Sequence, residues 1–240
     1  MESDPQLKYR RILLKLSGEV LAGSQPFGID SEAIEVFCRR IKKIKDLNVE
    51  IALVIGGGNI FRGLNAARNG MDRVSADQMG MLATVMNAMT LQERFESLGV
   101  PARVLSAIAI EQFVEPFERR RAEEYLESGR LVILAAGTGN PFFTTDTAAA
   151  LRASELRADV VLKATKVDGV YSDDPVKNPA AEYYPTLNYL DMVKKNLKVM
   201  DLTAVTICRD NGIPIIVFDM NKPDNLKRVV MGESVGTIIS

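Results

Sequence analysis

Lys15 stands near the end of an apolar run, Arg11 to Leu16, and is followed at once by Ser17 and Gly18. An ammonium group so placed can lie along the strand with its tip in water, or it can be aimed at a bound phosphate. A second apolar run, Glu50 to Ile55, opens into Gly56-Gly57-Gly58-Asn59 and then Arg62-Gly63. Consecutive glycines are costly in unfolded-state entropy and serve where backbone must come close to something. A third run, Leu131 to Ala136, leads into GTGNPFFTTD, Gly137 to Asp146, ahead of the alanine-rich segment Ala148 to Arg157. Its threonines, Thr144 and Thr145, offer hydroxyls and N–H groups near a helix N-terminus, where anions are favoured. Phe142 and Phe143 add flat apolar surface. Taken alone, the loop fits either a nucleotide cradle or a turn carrying two core aromatics.

The fourth candidate loop follows Asp159 to Ala164 and contains Thr165, Asp168-Gly169, Tyr171 and Asp173-Asp174. It reads either as a nucleoside pocket rim or as a surface hairpin turn. The chain contains no histidine, which excludes Ser–His–Asp and Cys–His nucleophiles, His-bearing zinc sites and the HRD loop of protein kinases. What remains is lysine, arginine, carboxylates, backbone N–H groups and a hard metal ion, an inventory suited to phosphoryl transfer. The glycine loop is not the dinucleotide fingerprint, because Gly56-x-Gly58 lacks the third glycine three residues later, and no GxxxxGK[ST] loop occurs.

These residues need a scaffold, and the 240-residue chain, 47% apolar, can bury a substantial core. With 30 basic and 31 acidic residues the formal net charge is −1, so no global field favours nucleic acid or an anionic membrane. No apolar span of about 18 residues occurs, and Met1 to Arg10 lacks a signal-peptide pattern, so a cytoplasmic protein is expected. Cys38 and Cys208 lie in apolar segments without motif spacing and are expected to be buried, reduced thiols.

Periodicity supplies the elements. Strands are expected at Arg11 to Leu16, Glu50 to Ile55, Ala102 to Ser106, Arg130 to Ala136, Asp159 to Ala164, Pro214 to Phe218 and Gly236 to Ser240. Helices are expected at Ser31 to Leu47, Ser75 to Leu98, Pro116 to Ser128, through Arg157, at Asn188 to Lys195, Asp201 to Asn211 and Lys222 to Val230. On the first helix the basic run Arg39, Arg40, Lys42, Lys43 and Lys45 reads as a solvated face. On the second, Met79, Leu82, Met86 and Met89 form a stripe for core or subunit packing. Asp77, in its first turn, reads as complementing the helix dipole, with ribose hydroxyls as the other possibility. Alternating strands and helices without a linker argue a single three-layer α/β/α sandwich on a mainly parallel sheet. The four loops leave the carboxyl ends of their strands, where such sheets bind ligands.

In this order the loops resemble the amino acid kinase family and, within it, the bacterial UMP kinases, over nearly the whole length. The resemblance rests on KLSGE at Lys15 to Glu19, VIGGGN and FRG between Val54 and Gly63, and DQMGMLATVMN at Asp77 to Asn87. It continues through GTGNPFFTTD at Gly137 to Asp146, LKATKVDGVY at Leu162 to Tyr171 and MNKP at Met220 to Pro223. It implies a Mg²⁺-dependent transfer of the ATP γ-phosphoryl group to UMP in pyrimidine nucleotide synthesis. Lys15, Leu16, Ser17, Gly18, Gly58 and Arg62 would meet ATP phosphates, and Thr165, Tyr171 and Asp174 its nucleoside. Gly57, Asp77, Thr138, Gly139, Asn140, Pro141, Phe142, Phe143, Thr144 and Thr145 would bind UMP. Lys15, Arg62 and Asp146 would be catalytic, with Asp146 orienting Lys15 and few direct protein ligands to the metal. The resemblance further implies an N-terminal acceptor half and a C-terminal ATP half, a homohexamer, inhibition by UTP and activation by GTP. Arg103 and Arg130 match the basic pattern of the GTP site, whereas Gln92 and Glu96 stand where its best-known form has Arg and His.

Overall fold

A computed structural model describes residues 7–63, 70–110, 112–195, 197 and 199–240. Among them eleven strands and eight helices occur. The strands are β1 (Arg11–Leu16), β2 (Glu50–Ile55), β3 (Ala102–Ser106), β4 (Glu115–Pro116), β5 (Leu131–Ala135), β6 (Val160–Thr165), β7 (Val170–Tyr171), β8 (Tyr183–Tyr184), β9 (Thr186–Leu187), β10 (Ile215–Asp219) and β11 (Thr237–Ile239). The helices are α1 (Glu19–Ala22), α2 (Ser31–Lys45), α3 (Arg73–Ser97), α4 (Arg119–Glu127), α5 (Thr145–Glu155), α6 (Tyr189–Lys194), α7 (Leu202–Asp210) and α8 (Asn225–Val230).

Nine strands form one sheet in the order β4-β3-β5-β2-β1-β6-β10-β11-β9, while β7 and β8 pair separately. Every pairing in the large sheet is parallel except β10 with β11. The inner strands are apolar runs because parallel strands are covered on both faces. Alternation does the sorting: Leu14 and Leu16 join Phe37, Leu91 and Phe95 on one face, and Leu13 joins Ala149, Ala153 and Val205 on the other. The expected three-layer α/β/α architecture on a mainly parallel sheet is therefore present. Among the described residues no helix is long and apolar enough to cross a membrane.

Caps fix the helix starts. Asp30 accepts from the Ala33 N–H at 2.8 Å, Asp72 from Ser75 at 2.9 Å, and Asp201 from Ala204 at 2.9 Å. Several helix starts move: Pro116 lies in β4 and α4 begins only after its Glu118 cap, α3 begins at Arg73, and α8 begins at Asn225 rather than Lys222. The methionine stripe is not core. Met79, Leu82, Met86 and Met89 are 40–54% exposed, and α3 buries Met81, Val85, Ala88, Leu91 and Phe95 instead. A helix apolar on two faces offers periodicity two answers, and the sheet takes one. The basic run on α2 is only partly solvated, since half-buried Arg40 donates to the Met220 carbonyl at 3.0 Å and Lys45 to that of Val49 at 3.0 Å. Cys38 and Cys208 are buried free thiols, each pushed up to about 12 by burial. The expectation for Met1 to Arg10 falls, up to Gln6, outside the described residues.

Candidate active site

At the carboxyl edge of the sheet, β1 and β6 lie side by side with Lys15 directly opposite Lys163. Equal register puts both ammonium groups on one face, the face covered by α5. The second residue of α5, Asp146, enters between them: Oδ1 lies 2.7 Å from Lys15 Nζ and Oδ2 2.5 Å from Lys163 Nζ. The Lys15 contact is ionic rather than a well-aligned hydrogen bond. Lys163 also donates to the Val199 carbonyl. All three side chains are only 12–13% exposed.

Burial works to raise the Asp146 carboxyl, but Lys15 and Lys163 together outweigh it and hold the group below the usual carboxylate value. For Lys163, burial and then the Lys15 charge lower the ammonium, and Asp146 restores only part of the loss. Within this triad two cations share one carboxylate, an excess of one positive charge, with Asp201 the further carboxylate that bears on Lys163. Such an arrangement in a low-dielectric edge attracts an anion. Sequence reading missed Lys163. The signal was present, a lysine inside an apolar run shortly before a polar loop as at Lys15, but register between strands distant in sequence could not be read.

Beside this centre, the β1 and β2 loops leave no room for a side chain at Gly18 and Gly57. A Cβ on Gly18 would collide with the Gly56 carbonyl and the Asn59 amide, and one on Gly57 would sit 2.8 Å from both Ala83 Cβ and the Gly80 carbonyl of α3. Leu16 is fully buried in the core and can offer a ligand only its main chain. Arg62 donates to the Gly58 carbonyl at 3.1 Å and pairs with Glu19 at 2.6 Å, and Glu19 also faces Lys166 at 3.5 Å. Glu19 stands where two cavities abut. One, about 690 Å³, is lined by Lys15, Ser17, Lys163, Thr165 and the α2 residues Phe37 and Arg40. The other, about 410 Å³, brings together Gly57, Gly58, Arg62, Asp77, Thr138, Asn140, Phe143, Thr144 and Thr145.

The loop from β5 to α5, Ala136 to Thr144, called the acceptor loop after the role the resemblance implies, is built on left-handed backbone, with Ala136 at φ 63°, Gly137 at 60°, Gly139 at 78° and Phe142 at 73°. Gly139 backs onto Ala107, whose carbonyl a Cβ would meet at 2.7 Å. Thr138 and Asn140 bond to each other across the turn at 3.2–3.3 Å. Thr144 caps α5, accepting from the Asp146 and Thr147 N–H groups, and its hydroxyl meets Asp201, which also receives Thr147. Asp201, a second unforeseen member, joins this loop to α7. Phe142 and Phe143 are 64% and 50% exposed and so are not core aromatics. Gly139, Pro141 and Phe142 do not line the 410 Å³ cavity.

Asp77 does not serve the helix dipole. The cap of α3 is Asp72, and Asp77 reaches out to accept the Phe142 N–H at 2.7 Å and Arg73 Nε at 2.8 Å. Arg73 in turn sits 5.6 Å above the Phe142 ring. The carboxylate therefore braces the acceptor loop.

Tyr171 and Asp174 line a separate cavity of about 430 Å³ with Leu197 and Val199. Those two residues also line a smaller cavity of about 300 Å³ with Asp146, Lys163 and Asp201, so the rim reaches the charged centre from the α7 side. The segment does pair as a hairpin, Tyr171 against Tyr183, with its hydroxyl donating to Asp168 at 2.6 Å. Thr165 turns its hydroxyl to the Val167 carbonyl at 2.5 Å. Arg103 and Arg130 lie at the opposite, amino edge of the sheet. Arg103 is held by Glu96 at 3.0 Å, and Arg130 sits 5.3 Å from the Tyr125 ring centroid and donates to Ser128 at 2.7 Å. Gln92 accepts the Val104 N–H at 3.1 Å and donates to Glu96 at 3.2 Å.

A parallel sheet whose edge presents buried lysines, a crowded glycine loop and a helix-capped acceptor loop defines a class, and sequence comparison agrees: the amino acid kinase family profile matches residues 10–219. The chain belongs to the amino acid kinase family. Among solved structures it is similar to UMP kinase from Bacillus anthracis, at 41% identity over 97% of this chain and 96% of that one, with a TM-score of 0.93. UMP kinase from Ureaplasma parvum is 38% identical over 96% and 98%, TM-score 0.90. Uridylate kinase from Archaeoglobus fulgidus is 33% identical over 95% and 99%, TM-score 0.74.

Proposed function

We propose that this protein is a UMP kinase, transferring the γ-phosphoryl group of ATP to UMP to give UDP and ADP for pyrimidine nucleotide synthesis in the cytoplasm. The observation that carries the reading is the Lys15–Asp146–Lys163 centre beside the acceptor loop. A phosphomonoester has its second pKa near ~6, so UMP arrives at neutral pH mostly as a dianion and needs no general base. That suits a chain without histidine. The remaining work is positioning and charge neutralisation. Lys15 and Lys163 stabilise charge spreading over the transferred phosphoryl, Asp146 orients both, and Arg62 leaves Glu19 to meet phosphate. Lys15 to Gly18 and Gly58 offer main-chain N–H groups to ATP, with Thr165, Tyr171 and Asp174 at its nucleoside.

On the acceptor side, Gly57, Asp77 and the loop from Thr138 to Thr145 take UMP. The division into an N-terminal acceptor half and a C-terminal ATP half is that of the family the chain resembles, with Lys15 to Gly18, Gly58 and Arg62 reaching ATP phosphates from the first half. Mg²⁺ bound to the ATP phosphates supplies further charge neutralisation. The donors fit a metal held chiefly by phosphate and water, because both Asp146 oxygens face ammonium groups and Asp201 is engaged by threonines. The exposed Met79, Leu82, Met86 and Met89 supply an apolar face for a second copy, in keeping with a homohexamer. Inhibition by UTP follows from recognition of the same uridine. GTP activates through Arg103 and Arg130, weakened by Glu96, which holds Arg103 in a carboxylate pair. ADP formation from ATP and Mg²⁺ with UMP as acceptor is the test, and its absence would refute the assignment.

A further inference from the structure

Two buried polar residues of α3, one turn apart, hold the loops that the proposed reaction uses. The hydroxyl of Thr84, 4% exposed, donates to the Met81 carbonyl at 2.7 Å and accepts the Ala136 N–H at 2.8 Å. Ala136 is the left-handed residue, φ 63°, with which the acceptor loop departs from β5. An alanine in that conformation is strained, and it persists when its surroundings fix it. Three residues on, fully buried Asn87 donates to the Gly56 carbonyl at 2.8 Å and to Asn59 Oδ1 at 2.7 Å. Asn59 returns a bond to Asn87 Oδ1 at 3.0 Å, donates to the Gly28 carbonyl at 2.9 Å, and accepts the Gly28 N–H on its own carbonyl at 2.6 Å. The paired amides thus tie the glycine loop and the Gly28 turn to α3.

We infer that Thr84 and Asn87 are positioning residues with divided tasks: Thr84 sets the acceptor loop, and Asn87 with Asn59 sets the glycine loop at the transferred phosphoryl. An apolar side chain of similar size would keep the packing of α3 but would leave the Ala136 N–H, or the Gly56 carbonyl and the Asn59 amide, buried without a partner, so it is the loops that lose their anchors. The value of Thr84 and Asn87 lies in keeping one loop conformation populated, so their loss shows as a fall in the competent fraction. This rests on the UMP kinase reading.

The test is steady-state kinetics of the full chain with ATP and UMP varied separately, beside melting temperatures. Thr84→Val is expected to raise KM for UMP about tenfold while leaving KM for ATP within about twofold, and Thr84→Ser, which keeps the hydroxyl, to behave as wild type. Asn87→Ala is expected to lower kcat about tenfold. Losses that follow melting temperature with no split between KM values, or Thr84→Ser as impaired as Thr84→Val, would overturn the inference. Hydrogen exchange on the wild type adds an arm that needs no variant: the Ala136 amide must exchange as slowly as β5, and fast exchange contradicts its being pinned. A wild type without UMP kinase activity would sink the functional reading instead, and an active wild type with unsplit variants would sink this one.

Discussion

The charged centre and the acceptor loop adjoin, yet they are fixed by different means. Lys15 and Lys163 ride on neighbouring strands inside the sheet, and Asp146 is set by the first turn of α5. Their geometry comes from the core itself. The acceptor loop instead strings together left-handed residues at Ala136, Gly137, Gly139 and Phe142 and is held from outside, by Asp77 and Thr84 of α3 and by Asp201 at the start of α7. On the proposed function, charge that must not move is built into strands, while a surface that must admit and release a substrate is built on loops with few anchors.

Disabling the strand-borne side should have the largest effect. Lys15→Met and Lys163→Met should each lose at least ~10³ in kcat with little change in KM for UMP, comparable to removing a preorganised charge from such a site. Near-normal kcat in a folded Lys163→Met would show that Lys163 merely neutralises Asp146. On the loop side, Asp77→Asn keeps the shape but weakens the brace on the Phe142 N–H, so KM for UMP should rise about tenfold with kcat largely kept. If kcat falls instead and KM holds, the two regions are not separable.

The lowered Lys163 value sharpens the contrast through pH. On the proposed role the protonated form of Lys163 is the useful one, so kcat/KM, which reports the free enzyme, should decline on an alkaline limb lying below 10.5, the ordinary lysine value, and Lys163→Arg should remove that limb. Stability carries the opposite sign. Between the lowered folded value and 10.5 the unfolded chain binds the Lys163 proton more tightly, so this group's contribution to stability rises with pH across that window. Asp146, held low, contributes stability above the ordinary carboxylate value that is lost as pH falls through its folded value. A kcat/KM profile flat up to 10.5 would contradict the role given to the Lys163 charge.

What could be read from sequence follows the same division. Lys15, the glycine loop, Gly137 to Asp146 and the alternation of strands and helices were legible because local chemistry dictates them: glycines at crowded turns, threonines at a helix start, apolar runs in covered parallel strands. Lys163 and Asp201 were not, because their meaning depends on which strand lies beside β1 and which helix faces α5. Asp77 was misread for a related reason, since helix position suggested a dipole partner while its bond runs 65 residues along the chain. The methionine stripe shows the limit of periodicity, because α3 is apolar on two faces and only the sheet decides which is buried.

The smallest expected effect is remote from both regions. Arg130→Ala should abolish a GTP response and leave basal turnover largely intact, read by titrating GTP at subsaturating and saturating UMP. A wild type unresponsive under both conditions would mean that Glu96 and Gln92 have removed the site.

The central claim is tested most directly by ADP release from ATP and Mg²⁺ across UMP, CMP, AMP, aspartate, glutamate and carbamate. The account predicts UMP as the best acceptor, ahead of CMP by roughly 10²-fold or more in kcat/KM, because a site that pairs with uracil leaves buried groups unpaired against cytosine. Comparable kcat/KM for UMP and CMP, or a better acceptor elsewhere in that series, would contradict it.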